Sequence, residues 1–403
     1  VIIVNYDSQA PETFERSIFL AGPTPRSPEV SSWRPEALKI LERLGYDGVV
    51  FVPEWTDASS KSQLDQRFLH FQAVRWEDKH LNMSDQILFW IPRDMKTMPG
   101  LTTNIEFGRW EGSGKIVLGH PKEAPHTSYL DDYANREGIT RCNDLEETVR
   151  ATLKAVRAGS PRTGGERCVP LYIWEKPEFQ AWYLSQKKVG NRLDDAKMVW
   201  TFRVGKNKER CFMWAIHVKV WIAAEGRFKT NEVILQRPDV FAVVAYIPQT
   251  TVGPMDKDFI FGTEVVLVRE FRSPGATEDG FIHEVPGGSV MDGDLSPGAK
   301  AVEELEEETG LAIPTSRLKV IGSRQLYGTL LTHKAHVFCV RLTDEDRLQL
   351  DWMSTIPHGV SKDTEQTFVE IRTVLDLLRS RDVDWANMGM ILSTLLDEYW
   401  MNG

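Results

Sequence analysis

The stretch GGSVMDGDLSPGAKAVEELEEETGL, Gly287 to Leu311, carries glutamate at five of the six positions 303–308. Its ends mark a helix. Ser296 is a good N-cap, because its hydroxyl can accept a hydrogen bond from a first-turn N–H. Pro297 suits the first helical position, where a missing N–H is not needed. Gly310 suits the C-terminal cap, where the backbone turns left-handed. The pattern predicts a helix over 297–309. Glu304, Glu307 and Glu308 fall at i, i+3 and i+4 on one face, and Glu303 and Glu307 are also i, i+4. Like charges so placed cost about 0.2–0.5 kcal/mol per pair. A hard divalent cation with oxygen ligands would turn that cost into binding. A solvated acidic face has the same pattern, and the helix alone leaves both readings open.

Around this helix the chain reads as strand. Val218–Ala223, Glu232–Leu235, Val240–Ile247, Glu264–Val268 and Phe281–Glu284 precede it. Val337–Leu342 and Thr367–Ile371 follow, then helices near 373–380 and 386–399. This is an α+β order. Upstream the order changes. Short apolar strands at Ser17–Leu20, Val49–Val52, Gln86–Ile91 and Lys115–Leu118 alternate with helical spacing at Trp33–Leu44 and Phe68–Met83. Continuous apolar strands between helices predict a parallel sheet covered on both faces, a flavodoxin- or Rossmann-like α/β domain. Ligands bind such sheets at the carboxyl ends of the strands. The polar, Gly- and Pro-rich segment 157–166 follows the helical pattern of Leu145–Val156 and reads as a linker. The expected division is therefore 1–158, a connecting segment 159–205, and 206–403. Within the connecting segment, Trp174, Trp182, Tyr183 and Trp200 are expected in a core or seam rather than as a base-stacking site.

Bulk composition narrows the function. The 403 residues carry a net charge of −10, which disfavours nonspecific nucleic-acid binding, since phosphates want clustered Lys and Arg. The four cysteines show no paired spacing, so neither a disulfide framework nor a zinc site is expected, and a reducing cytoplasm fits. No run approaches the roughly 18 apolar residues of a membrane span. The opening segment has no basic start and no long apolar core, so a signal peptide is not expected.

With its neighbours, the Glu-rich helix resembles the box of the Nudix hydrolases, G-x5-E-x7-R-E-U-x-E-E-x-G-U, where U is aliphatic. Glu304 to Leu311 matches its second half without a gap, and Gly288 matches the first glycine. Three positions depart: Asp294 stands for the first Glu, the following interval is one residue longer, and Glu303 stands for the Arg. The resemblance implies a Nudix-fold α+β domain, Mg²⁺ or Mn²⁺ as cofactor, and Gly288, Glu304, Glu307 and Glu308 at the metal, with Glu308 also catalytic. The flanks VVLVREFR (265–272), FIHEVPGG (281–288) and QRPDVFAVV (236–244) resemble the ADP-ribose pyrophosphatase branch. That implies a nucleotide or nucleoside-diphosphate-sugar substrate met by Arg272 and Glu284, a late catalytic glutamate at Glu365, and a homodimer through the hairpin before Gln236. On chemistry alone, Arg272 could equally be a surface ion pair.

The N-terminal part holds FLAGP (19–23), Ser84-Asp85, and PGLTTNIEFGRW (99–110). Glu106, between a turn and Gly108, can act as a nucleophile or merely interact with a helix dipole. Together these motifs resemble the nucleoside 2-deoxyribosyltransferase-like proteins. The resemblance implies that Glu106 attacks an anomeric carbon, that Asp85 contacts the base, and that Gly22, Pro23, Asp94 and Asn104 line the substrate. The family's aspartate six residues before the nucleophile is Gly100 here, so the base is expected to be protonated otherwise, by Asp94 or by no residue. The combined expectation is a nucleotide-metabolising hydrolase acting on an N-glycosidic bond and on a diphosphate. The alternative is a sensor whose altered box binds without cutting.

Overall fold

A computed structural model of the chain describes residues 1–27, 29–56, 66–249, 258–289, 295–359 and 366–402. It divides into two compact units, Val1–Gln236 and Arg237–Gly403. Asp294 and Glu365 lie outside the described residues.

The first unit opens with β1 (Ile2–Val4), β2 (Ser17–Ala21), α1 (Arg34–Arg43), β3 (Val49–Phe51), α2 (Gln66–Met83) and β4 (Gln86–Trp90). It continues with α3 (Leu101–Trp110), β5 (Ile116–Gly119), α4 (Ser128–Arg136), β6 (Thr140–Cys142) and α5 (Leu145–Val156). The six strands pair in parallel, in the order β1-β3-β2-β4-β5-β6. Every residue of β2, β3, β4 and β5 is buried, as their largely apolar sequences require of a sheet covered on both faces. Separate apolar cores fill the two faces, one around Phe19, Phe51 and Phe89, the other around Leu20, Val50 and Leu88. After β2 the chain builds β3 to one side and β4 to the other. The strand order therefore switches direction between β2 and β4, where the carboxyl ends of an open sheet leave a crevice.

The same unit continues through α6 (Leu171–Trp174), α7 (Pro177–Lys188), β7 (Arg192–Val204), β8 (Arg210–Ile222) and β9 (Arg227–Gln236). β7, β8 and β9 make an antiparallel sheet. Its core takes in Phe179, Tyr183 and Trp214, with Trp174 and Trp182 packed against it, so most of the aromatic segment is core. Trp200 differs: on β7 it is 47% exposed. The expected boundary at 206 falls between the paired strands β7 and β8, and the units divide instead after Gln236. The expected linker is also packed. The side chain of Arg162 is fully buried against Asp85, and Glu166 closes a capping box with Thr163.

The second unit runs β10 (Val240–Ile247), α8 (Asp258–Gly262), β11 (Glu264–Glu270), β12 (Ile282–Glu284), β13 (Gly287–Gly288) and α9 (Pro297–Thr309). Then come β14 (Lys319–Gln325), β15 (Lys334–Arg341), α10 (Asp344–Met353), β16 (Thr367–Thr373), α11 (Val374–Ser380) and α12 (Trp385–Asn402). Its mixed sheet runs β12-β11-β10-β15-β14, with β13 added to β10 and β16 to β11. The side chains of α9 pack one face of the sheet and those of α11 and α12 the other. α9 has the predicted bounds. Ser296 Oγ accepts from the Ala299 N–H at 3.3 Å, and Gly310 ends the helix at φ 71°. Among the described residues no helix is long and apolar enough to cross a membrane.

Candidate functional site

The crevice of the first unit holds a cavity of about 290 Å³ lined by Gly22, Pro23, Arg34, Glu77, Gly100 and Glu106, among others. Gly22 follows β2 at φ 151°, and a Cβ there would lie 2.2 Å from the Trp90 carbonyl oxygen, so only glycine lets the chain turn this close to β4. Gly100 caps α3 in the left-handed region at φ 63°. An aspartate at that position would be strained, and the turn brings backbone rather than a carboxyl group to the site.

A carboxyl does reach Glu106, from α2. Glu77 and Glu106 line the same cavity, each within the other's electrostatic field. Burial first, then the negative charge of Glu77, pushes Glu106 up to about 8. Burial also raises Glu77, but the Tyr6 hydroxyl donates to it and holds it lower than burial alone would. Two carboxyls that oppose one another's charge at one cavity favour holding a single proton, and these directions favour Glu106 as its holder. Arg34 supplies a fixed positive charge to both. Its Nε donates to the Leu20 carbonyl at 3.1 Å, its Nη2 to the Gly22 carbonyl at 2.8 Å, and its Nη1 pairs with Glu54 at 2.8 Å. An anchored guanidinium beside a shared-proton pair keeps the remaining negative charge affordable in a buried site.

Three expected residues are not at this cavity. Asp85 precedes β4, at the amino end of the sheet, the opposite end from the crevice. Its carboxylate accepts from the Ser17 N–H at 2.8 Å and Ser17 Oγ at 3.0 Å, pairs with Arg162, and has Arg167 at 3.8 Å. It neutralises buried arginines. Asp85→Asn leaves those guanidiniums buried without a counter-charge. The expected cost is about 3 kcal/mol, read as a lowered unfolding midpoint. Asp94 is exposed on the loop after β4 and folds back on its own turn, accepting from Lys96 N at 3.0 Å and from Thr97 N and Oγ1 at 2.8 Å. Those backbone and hydroxyl donors hold its carboxyl below the usual range, which is wrong for an acid. Asn104 accepts from Arg93, whose Nη1 also donates to the His126 carbonyl at 2.6 Å, and so braces a loop. Glu77, Tyr6 and Arg34 were not legible as site residues. Glu77 lies inside a helix within an ordinary charged run, and only the packing of α2 against the sheet brings it to Glu106.

The second unit gathers carboxylates around the turn Gly287–Gly288. β13 pairs with β10 there, and α9 lies against it. A Cβ on Gly288 would come within 2.3 Å of the Glu304 carboxylate, so this glycine serves close approach. Glu308 Oε2 accepts from the Gly287 N–H at 2.8 Å, and its carbonyl accepts from Thr367 Oγ1 at 3.0 Å. Burial raises Glu308 well above its ordinary range, and the charges of Glu284, Glu304 and Glu270 add to that. Glu284 is pushed up to about 7 by burial, with Arg272 pulling it back and Glu270 and Asp384 raising it. Arg272 pairs with Glu270 at 2.9 Å. The expected trio on α9 is split. Glu304 and Glu308 face the glycine turn, whereas Glu307 is exposed and is raised by burial and by Glu303 and Glu306.

Among the described residues no group of three or more His, Cys, Asp or Glu stands close enough to hold a metal ion. The donor chemistry nevertheless fits a hard divalent cation. Buried carboxylate oxygens from α9, β11 and β12 raise one another's affinity for positive charge.

Two family models match the chain. One, described as nucleoside 2-deoxyribosyltransferase like, matches residues 15–124, and the other, the NUDIX domain, matches residues 259–382. No curated protein matches. The crevice with Glu106 lies in the first matched region and the carboxylate turn in the second. The first region is similar to glycosyl-transferring proteins, and the second to nucleotide-related hydrolases that generally use divalent metal ions. The parallel α/β sheet and the mixed sheet flanked by helices are the folds expected for them.

Proposed function

We propose that the chain is a two-site enzyme of nucleotide metabolism, cleaving or transferring an N-glycosidic bond in the first unit and hydrolysing a diphosphate-linked nucleotide, ADP-ribose-like, in the second. The observation that carries the reading is that Glu77 and Glu106 line one cavity at the switch point of the sheet, which supports a pair holding one proton between them. Cleaving an N-glycosidic bond needs a nucleophile at the anomeric carbon and a proton for the leaving base. A pair with one proton offers both. When a nucleoside enters, the proton moves to Glu77 and passes to the departing base. Glu106, now ionised, attacks the anomeric carbon. Water or a second base then attacks the same carbon, the bond to Glu106 breaks, and the attacker's proton passes to Glu77, which restores the one-proton pair. Arg34 steadies the charge as it shifts between the two carboxyls.

In the second unit Glu304 and Glu308 would hold the cation, with Glu284 and Glu270 nearby and Arg272 placed to meet phosphate. The cation, when bound, would neutralise the diphosphate oxygens. The Gly287 N–H keeps the Glu308 carboxylate aimed at the turn, and burial on α9 excludes bulk water from it. The sensor reading draws on the outward turn of Glu307 and on Glu303, which puts a carboxylate where an arginine would hold the ligands.

The test is to incubate the full chain with Mg²⁺ and, separately, NAD, ADP-ribose and a panel of nucleosides and nucleotides, following products by chromatography. Release of a free base supports the first site, and AMP from ADP-ribose supports the second. If no compound is consumed but ADP-ribose still raises the unfolding midpoint, the sensor reading holds. If nothing is consumed or bound, both readings fail.

A further inference from the structure

We propose that Ser323, His336 and Asp239 form a nucleophilic site, separate from the carboxylate cluster, that accepts an acyl group from a small apolar ester. Ser323 on β14 lies directly across from His336 on β15. Ser323 Oγ is 2.5 Å from His336 Nδ1, and His336 Nε2 is 2.9 Å from Asp239 Oδ2. The other carboxylate oxygen, Oδ1, accepts from the Lys334 N–H at 2.8 Å, which fixes the aspartate. A carboxylate only accepts, so the neutral ring carries its proton on Nε2. Nδ1 is then left as an acceptor facing the serine hydroxyl. That is a base held against a nucleophile and oriented by a third group. Either ring nitrogen can serve, because the tautomer follows the carboxylate. Stacking on Phe241, with centroids 5.0 Å apart and planes 13° apart, holds the imidazole plane.

The surroundings suit the chemistry. Ser323 and His336 line a cavity of about 410 Å³ whose walls include Leu318, Val320 and Phe338, a place for a short apolar chain. Just before the serine, the pairing of β14 with β15 shifts register between Val320 and Gly322. Gly322 sits at φ 149° with open space where a Cβ would be, so its backbone conformation rather than crowding calls for glycine. A bulge of this kind re-aims the next side chain. Pro297 and Gly298, at the start of α9, line the same cavity. Pro297 has no N–H and the Ala299 N–H is held by Ser296 Oγ, so the first-turn donor that can meet a developing oxyanion here is the Gly298 N–H.

The reaction balances without any further reagent. Ser323 Oγ bonds to the ester carbonyl carbon as its proton passes to His336 Nδ1. The tetrahedral adduct collapses, its bond to the ester oxygen breaks, and the leaving alkoxide takes that proton to depart as alcohol. Water attacks the acyl-serine, giving a proton to Nδ1. The bond to Oγ then breaks, the proton returns to Ser323, and a carboxylic acid is released.

The test is to treat the full chain with a fluorophosphonate probe and locate the adduct by peptide mass. Ser323 in the folded chain should label at least tenfold faster than in heat-unfolded chain. His336→Ala and Asp239→Asn should each lower the folded rate at least tenfold, and Ser323→Ala should remove the adduct. Glu308→Gln should label at the parental rate, which separates this site from the carboxylate cluster. No adduct at Ser323, or a folded rate no greater than the unfolded one, overturns the proposal. So does an unchanged rate in folded His336→Ala, because the hydrogen-bonded chain would then only tie three segments of the sheet together.

Discussion

Glu106→Gln should abolish base release from a nucleoside or dinucleotide, by on the order of 10⁴-fold in kcat, and leave ADP-ribose hydrolysis unchanged. The variant keeps the size of the side chain, so the cavity survives. It loses the carboxyl proposed to give up the shared proton and attack carbon. Glu77→Gln should also cut the rate severely, but for a different reason, and the pH profile tells the two roles apart. With both carboxyls present, turnover needs one proton on the pair. It should fall as pH rises through about 8, where that proton is lost. In Glu77→Gln no proton is shared, so the residual activity should lose that alkaline limb. Chromatographic rates from pH 5 to 9.5 decide it.

The same pair has a stability signature with a definite sign. The folded-state value of Glu106, about 8, lies above its ordinary value of 4.5, so the folded chain holds this proton more tightly than the unfolded chain does. Stability from this group is therefore present at low pH and is lost progressively as pH rises from about 4.5 to about 8. Glu106→Gln should unfold at the parental temperature near pH 4.5 and at a higher temperature at pH 8.5. A carboxyl that costs stability at the pH where it would work is the exchange expected of the proposed active site. An unchanged midpoint at pH 8.5 would mean that the pair is not crowded in solution.

How far the sequence could be read follows from where each signal lives. α9 could be bounded to the residue because its caps, Ser296 and Gly310, are local chemistry. The parallel sheet was legible because strands buried on both faces must be largely apolar. Glu106 stood out through its turn and glycine neighbours, also local. Asp85 misled because an Asp opening a buried strand looks the same whether it meets a ligand or an arginine. Its partner Arg162 lies in a Gly- and Pro-rich stretch whose composition reads as linker, and only the tertiary ion pair shows otherwise. Glu77 was invisible for the complementary reason: nothing near it in sequence sets it apart. On α9 the periodicity grouped Glu304, Glu307 and Glu308. Which of them meets the glycine turn depends on how the helix rolls on the sheet, and that roll is set by Ala301 and Leu305 in the core.

That roll makes Glu308, rather than Glu307, the residue whose loss should silence the second site. Glu308→Gln should lower hydrolysis of ADP-ribose by about 10³-fold or more, because the buried oxygen facing the Gly287–Gly288 turn loses its charge while its hydrogen bond to Gly287 survives. Glu307→Gln, at an exposed position, should cost less than tenfold. A readout independent of turnover is the stabilisation of the folded chain by Mg²⁺ or Mn²⁺. A ligand held only by the folded state stabilises by about 2.7 kcal/mol at one hundred times its dissociation constant. The parent should therefore unfold several degrees higher in saturating metal. Glu308→Gln should lose most of that shift, and Glu307→Gln should keep it. Burial and the like charge of Glu284, Glu304 and Glu270 disfavour the Glu308 carboxylate, and a divalent cation is the simplest species to relieve it. If both variants keep the metal shift and the parental rate, the cation does not sit on this face of α9. If Glu308→Gln keeps nucleotide affinity in a chain whose parent hydrolyses nothing, the second unit is a sensor. Its departure at Glu303 would then be the reason that binding is not followed by cleavage.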